Sequence, residues 1–372
     1  MNIPFHKPEI SSDEINIVIK SLKSGWLTMG PKTLEFENKF KKYIDIKYAI
    51  STSSATAALH LSLKSLGISA DDEVIIPTNT FVATAEAVAY LRAKPVLCDI
   101  DYNSHNIDAN KIENLITPKT KAIIPVHFGG QPCDMDEISE LAKRHNIKIV
   151  EDAAHSLPAS YKNKKIGGIG DLTCFSFYAT KTLTTGEGGM VVSNNKNYYN
   201  KILLKRMHGI DRNAWNRYDQ DTDWYYEVTD LGYKYNITDI QSSLGLAQLS
   251  KIDLMTEKRK KIYKAYINEF ENKIECIKIK KDRSSSYHLF VIKVENRNDL
   301  FRQLKNKGIH TSVHFIPIHK HPYYISTYNF KNKDYPVANQ IYEKSLSLPI
   351  YPSLTEEELD YIISNVLKYS NI

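Results

Sequence analysis

From Tyr48 onward, short apolar runs alternate with longer segments in which apolar residues recur every three or four positions. The runs YAIS, DEVIIP, KPVLCDI, KAIIPV and IKIVED are four to seven residues long and rich in Val and Ile, which predicts buried strands. Between them, SSATAALHLSLKSLG, TFVATAEAVAYL and DMDEISELAKRH carry the helical period, and Gly67 closes the first of these. Strands separated by helices in this rhythm predict an α/β fold whose sheet is mainly parallel and covered on both faces. Ligands of such sheets bind beyond the carboxyl ends of the strands.

Upstream, SSDEINIVIKSLKSG predicts a helix capped at Ser11 or Ser12, with Glu14 in its first turn and Gly25 at its end. A loop carrying Trp26 and Thr28 leads into a second amphipathic helix; Trp26 either lines a pocket or packs over that helix. Downstream, MHGIDRNAWNRYDQDTDWYYEV has little periodicity and reads as a long excursion over the surface or into a neighbour. LGYKYNITDIQSSLGLAQL places Lys234 and Asn236 just before a helix capped by Thr238. A long charged helix, LSKIDLMTEKRKKIYKAYINEF, then leads into YHLFVIKV, NDLFRQLKNKG and HTSVHFIPIH, read as a small α+β unit. The expected division is a large domain over 1–250 and a small C-terminal domain over 251–372.

Composition narrows the function classes. With 372 residues, 42% hydrophobic and 25% charged, the chain reads as an ordinary soluble globular protein of two domains, or of one large domain with an appendage. The net charge of +6 is spread along the sequence, which fits a small anionic substrate better than nucleic acid. Four scattered cysteines, with no CxxC pair, point to neither zinc nor a disulfide framework and fit a reducing cytoplasm. No apolar run reaches the roughly 18 residues of a membrane span.

The candidate chemistry gathers around DLTCFSFYATKTLTTGEGGMVVS. Here Lys181 follows one strand and precedes a glycine-permitted bend into another, with Ser176, Thr180, Thr182, Thr184 and Thr185 nearby. A partly desolvated amine among hydroxyls is what a Schiff-base lysine requires, because only the neutral amine attacks a carbonyl. Pyridoxal 5'-phosphate (PLP) is the cofactor that such a lysine implies.

Three segments fall at predicted strand ends. Ser53 to Thr56 opens a helix, where free N–H groups attract a phosphate or merely await capping. Phe81 follows Thr80 at a similar turn and either stacks on a planar ring or joins the core. Asp152 ends the strand IKIVED, where a buried carboxylate needs a cation such as a pyridinium nitrogen. His155, three residues on, either touches the ring hydroxyl or satisfies a backbone group. GGIGD at 167–171 departs from GxGxxG and precedes a strand, so a dinucleotide site is set aside. His314, His319 and His321 lack a regular ligand spacing and read as substrate contacts or surface groups, with no metal site.

Taken together, SGWLTMGPK, SSATAALH, DDEVIIPTNTF, KAIIPVHFGG, EDAAHS, FSFYATKTLTTGEGGM, GYKYNITDI, GLAQL and SLPIYPSLTEEE resemble the DegT/DnrJ/StrS sugar aminotransferases. These are fold-type-I PLP enzymes of the aspartate aminotransferase-like class. The resemblance implies that Lys181 forms the Schiff base and that Asp152 pairs with the pyridinium. It further implies that Ala55, Thr56 and Ser176 hold the phosphate, that Phe81 stacks on the ring, and that His155 contacts the ring hydroxyl where many members have glutamine. Lys234 and Asn236, in GYKYN, are then cofactor contacts reaching into the partner's site of a homodimer. Trp26, Thr28, His314 and His319 lie in segments that meet the sugar nucleotide in the family. The implied reaction moves an amino group, normally from glutamate, to a nucleotide-linked keto sugar for surface polysaccharide or lipopolysaccharide biosynthesis. YKYN, NAWNR and KGIHTSVHF resemble the branch that forms UDP-4-amino-4-deoxy-L-arabinose; HFGGQPCDMD is closer to the wider family. Two rivals share the scaffold: sugar dehydratases, which carry histidine where Lys181 stands, and a non-catalytic regulatory protein, which predicts a decayed cofactor set.

Overall fold

The computed structural model describes residues 1–211 and 225–370. Seven strands make the main sheet: β1 (Tyr48–Thr52), β2 (Glu73–Pro77), β3 (Lys94–Cys98), β4 (Thr120–Ile123), β5 (Lys148–Asp152), β6 (Leu172–Ser176) and β7 (Gly189–Ser193). Their spatial order is β1-β7-β6-β5-β4-β2-β3. Neighbours from β3 to β6 pair in parallel, whereas β7 runs antiparallel to both β1 and β6. The reversal at β7 has a local cause. The β6–β7 connection carries the Lys181 turn instead of a crossover helix, so the chain returns beside the strand it left.

Successive residues of the strands serve opposite faces. Ile75 and Phe175 pack with Phe36, Phe40 and Leu246 on one side. Val74, Ile76 and Cys174 pack with Leu59, Leu63 and Val88 on the other. This period of two, apolar in both phases, is the signature of a sheet buried between helical layers.

Helices α1 (Ser12–Ser24), α2 (Pro31–Ile44), α3 (Ala55–Leu66), α4 (Val82–Ala89), α5 (Met135–Arg144), α6 (Lys196–Arg206) and α7 (Asp239–Ser250) accompany this sheet. The cap of α1 is Ser11, in a reciprocal capping box with Glu14, and Gly25 ends the helix in the left-handed conformation. Thr238 and Gln241 form the equivalent box on α7. Helix α8 (Ile252–Phe270) leads to an antiparallel sheet of β8 (Glu275–Cys276), β9 (Phe290–Lys293) and β10 (Ser345–Leu348). Tyr266 and Phe270 of α8 join Phe290 and Leu348 in its core, with Leu300 of α9 (Arg297–Asn306) and Ile362 of α10 (Glu356–Tyr369).

The segment HTSVHFIPIH supplies no regular strand. Ser312 alone bridges Ser347, and the chain then runs along the cavity described below to Pro317, which lacks the N–H that a ladder needs. The third strand comes instead from SLSL at 345–348. The boundary expected at 250/251 falls between α7 and α8, but core packing crosses it. Ile3 bridges Ile309 in the small-sheet core, while Ile318, Tyr335 and Ile341 pack with the main sheet. Most of the excursion read at 207–228 lies outside the described residues. Among the described residues, no helix is long and apolar enough to cross a membrane.

Candidate active site

One edge of the main sheet collects the candidate chemistry. At that edge β5 ends in Asp152, β6 ends in Ser176, β1 turns into α3, and antiparallel β7 begins at Gly189. A cavity of about 580 Å³ opens there, and Lys181, Asp152, Ser176, Ala55, Thr56, Phe81, His155 and His314 all line it.

Lys181 rides on a tightly bonded turn. Its N–H donates to Tyr178 C=O (2.9 Å), and Thr185 N–H donates to Phe177 C=O (2.9 Å). The threonine hydroxyls are spent on backbone carbonyls: Thr184 donates to Phe177 C=O and Thr185 to Glu187 C=O within the turn, and Thr182 to Leu157 C=O of the segment after β5. The expected ring of hydroxyls around the amine therefore reduces to Ser176 and Thr180, which do face the cavity. Burial lowers the Lys181 amine to about 8, and the Asp152 carboxylate opposes part of that fall.

Asp152 accepts from the Thr84 hydroxyl (2.8 Å) and from Ala154 N–H (3.2 Å). Thr84 is itself paired with Thr80 (2.7 Å). Even with these donors and Lys181 nearby, burial wins and the carboxyl is raised above its ordinary value. Such a group is short of a cation.

The mouth of α3 is short of an anion. Ser54 caps Ala57 N–H (3.0 Å), and the N–H groups of Ala55 and Thr56 have no acceptor among the described residues. Ser53 N–H donates to Tyr235 C=O (2.7 Å), which anchors the preceding turn. A Cβ on Gly189 would stand 2.5 Å from the Ser54 carbonyl oxygen, so only glycine lets β7 approach this mouth.

Phe81 is the N-cap residue of α4; its exposed ring faces Phe315 at 5.8 Å between centroids. His155 is buried, and its Nδ1 accepts from Gly129 N–H (3.3 Å), so a neutral ring carries its proton on Nε2. Burial and Lys181 hold His155 well below the ordinary histidine range and lower His314 to about 3. His314 bonds Ser347 Oγ through Nδ1 (2.8 Å).

Five expected contacts stand elsewhere in this chain. His319 is buried away from the cavity, with Nδ1 bonded to Thr78 (2.6 Å), Nε2 to Asn339 (3.0 Å) and its ring stacked on Tyr335. With both nitrogens committed, it fastens residues 318–320 to the end of β2 and is unavailable to a substrate. Trp26 packs over Gly30 and donates to Met29 C=O (3.3 Å), while exposed Thr28 uses its carbonyl on Asp239 N–H. Lys234 is exposed beside Met207, and Asn236 donates to Ile237 C=O. Conversely, Phe5, His288 and Phe315 line the cavity without having been singled out. His288 lay in YHLF, where a strand pattern hid it; Phe5 is distant in sequence from everything it meets.

A buried carboxylate lacking a cation, a helix mouth lacking an anion and a depressed amine in one cavity match the ring nitrogen, phosphate and aldehyde of PLP. Sheet and site together define a fold-type-I PLP-dependent transferase. The chain belongs to the DegT/DnrJ/EryC1/StrS aminotransferase family, whose model matches residues 8–367. It is 44% identical to the spore coat polysaccharide biosynthesis protein SpsC of Bacillus subtilis, over 98% of this chain and 96% of that one. It is 50% identical to the uncharacterized protein MJ1066 of Methanocaldococcus jannaschii, over 98% and 97% of the two chains. The PLP form of Spr1654 from Streptococcus pneumoniae, named as a sugar aminotransferase, superposes with a TM-score of 0.94 at 34% identity, covering 100% of this chain and 99% of that one. The protein is a PLP-dependent sugar aminotransferase.

Gly189→Ala tests the phosphate end. The added methyl must push Ser54 and the α3 mouth aside, an overpacking cost of ~1–3 kcal/mol. The expected result, in a fluorescence titration of apoprotein with PLP, is a Kd raised by ~10-fold or more, with the melting temperature within a few degrees of native. An unchanged Kd would remove the α3 mouth from the cofactor site.

Proposed function

We propose that this protein transfers an amino group from glutamate to the keto carbon of a nucleotide-linked sugar. A UDP-4-keto sugar is the favoured acceptor, and the product serves a surface polysaccharide or lipopolysaccharide. The observation that carries the reading is the meeting of Lys181, Asp152 and the open mouth of α3 in one cavity. The name of the relative SpsC, a spore coat polysaccharide biosynthesis protein, supports the choice of product.

Bound PLP supplies an aldehyde that amines condense with and an electron-withdrawing ring that stabilises charge at an amino acid's α-carbon. The protein's own groups then divide the work. Ala55 and Thr56 N–H, with Ser176 Oγ, would receive the phosphate; Asp152 would hold a proton on the ring nitrogen; Phe81 would stack on the ring; His155 would offer Nε2–H to the ring oxygen. Lys181 would hold the cofactor's aldehyde carbon and would serve as the base that moves a proton at the donor's α-carbon; its depressed basicity keeps a usable neutral fraction near pH 8. His314 faces the sugar. As the family resemblance implies, two chains pair with each GYKYN segment serving the other's site, a reading that fits Lys234 and Asn236 standing outside the lining of their own chain's cavity.

The test follows visible absorbance and mass of the PLP-loaded protein. Glutamate should remove the yellow band, and a keto nucleotide sugar should restore it; a UDP-4-keto pentose restoring it best supports the arabinose branch. A band that glutamate bleaches but no keto sugar nucleotide restores sinks the acceptor assignment. A monomer in sedimentation that still turns over sinks the shared-site assignment.

A further inference from the structure

We propose that His288 is a positioning residue for His155, bracing its ring so that a neutral imidazole presents Nε2–H to the cavity. This rests on the proposed contact between His155 and the ring oxygen of PLP. The two histidines reach each other from opposite sheets. His155 lies three residues beyond the end of β5, and His288 lies two residues before β9. Their ring centroids are 4.4 Å apart, with planes tilted by 42°.

An interlocked set of hydrogen bonds surrounds the contact. Ser286 Oγ–H donates to His155 C=O, and Ser286 N–H donates to Gly130 C=O (3.2 Å). Leu289 N–H donates to Gly129 C=O (3.2 Å), and Gly129 N–H in turn donates to His155 Nδ1 (3.3 Å). A Cβ on Gly130 would stand 2.1 Å from Ser286 Oγ and 3.0 Å from the His155 carbonyl oxygen, so position 130 admits no side chain between them. The segment 286–289 thus fixes both the backbone of His155 and the donor that sets its tautomer.

His288 itself is held differently. Its Nδ1 is buried and unpaired among the described residues, so the ring is kept in place by packing against His155 instead of by a bond through that atom. Burial, Lys181 and His314 oppose a second proton on His155; on His288, burial leads, with His155, Lys181, Arg259 and His314 acting in the same direction. Removing the His288 ring opens space for water beside His155 and frees it to tilt away from Gly129, gain a proton and lose its fixed direction.

The test uses the PLP-loaded variants His288→Ala, His288→Phe and His155→Ala. A donor to the ring oxygen favours that oxygen's anionic form, so the pH midpoint of the yellow band reports on His155. The His288→Ala substitution should move the midpoint by ~0.5–1 pH unit and lower kcat ~10-fold, with KM for both substrates within ~2-fold. Phenylalanine, which keeps an aromatic face, should restore the midpoint to within ~0.2 unit of native. A native midpoint in H288A, alongside a shifted one in H155A, overturns the bracing role and leaves the His155 assignment standing. A native midpoint in H155A overturns both. If H288A does not fold, H288F decides: a native midpoint supports bracing, and one matching H155A overturns it.

Discussion

Replacing Lys181 by alanine should abolish amino transfer and the yellow absorbance together. In the proposed reaction the amine serves twice, as the group that holds the cofactor and as the base at the α-carbon. Loss of a positioned general base alone removes ~10²–10⁴-fold of rate, and loss of the covalent route adds to it, so a fall of at least ~10⁴-fold in kcat is expected. PLP should still bind K181A, through the α3 mouth and Asp152, with the absorbance of the free aldehyde. A variant that aminates a sugar within tenfold of native would remove Lys181 from the chemistry. The native protein offers a companion measurement. Burial places the amine at about 8 instead of its ordinary 10.5, and the neutral form predominates above that value. The rate at which apoprotein takes up PLP should therefore rise with pH through about 8 and level off beyond it; a rise centred near 10.5 would mean that the amine is not desolvated.

Asp152→Asn should produce the second largest loss. The substitution keeps the shape, and the amide oxygen can still accept from Ala154 N–H, but the charge is gone. Without it the ring nitrogen loses its partner and the electron sink weakens. Truncating one side of a buried charge pair costs ~3–5 kcal/mol, so kcat should fall by ~10²–10³-fold or more while the yellow band persists. The sign of a second effect is fixed as well. The carboxylate stabilises the charged form of Lys181, so its removal should shift the pH profile of PLP uptake below that of native. An upward shift, or a kcat within tenfold of native, would contradict the pairing assigned to Asp152.

What was legible in the chain was whatever depended on local pattern. Buried strands announce themselves by apolar runs, and chemistry in such sheets collects at strand ends, so Asp152 stood out by position, whereas a phosphate role for Ser176 came only from the resemblance. The caps of α1 and α7 were readable because Ser11 with Glu14, and Thr238 with Gln241, satisfy their orphan N–H groups within four residues. The threonines after Lys181 were misleading for a reason of stereochemistry: a hydroxyl on a tight turn finds a backbone carbonyl sooner than it finds an amine. His319 carries no mark in sequence of the two side chains, Thr78 and Asn339, that occupy its nitrogens from distant segments. Phe5 and His288 reach the cavity only because Ile3 pairs with Ile309 and because segment 286–289 locks onto the turn at 129–130. Both are tertiary events with no local signature. Lys234 and Asn236 were recognisable only by resemblance, which is also what brings a paired chain into the proposal; neither lines its own chain's cavity.

Every role assigned at this site depends on which lysine holds the cofactor. The direct measurement is borohydride reduction of the PLP-loaded protein, followed by digestion and mass spectrometry of the peptides. The expected result is one pyridoxyl group per chain, carried on the peptide that contains Lys181, and its loss after preincubation with glutamate. A pyridoxyl group on any other lysine, or labelling of Lys181 that glutamate leaves untouched, would contradict the assignment.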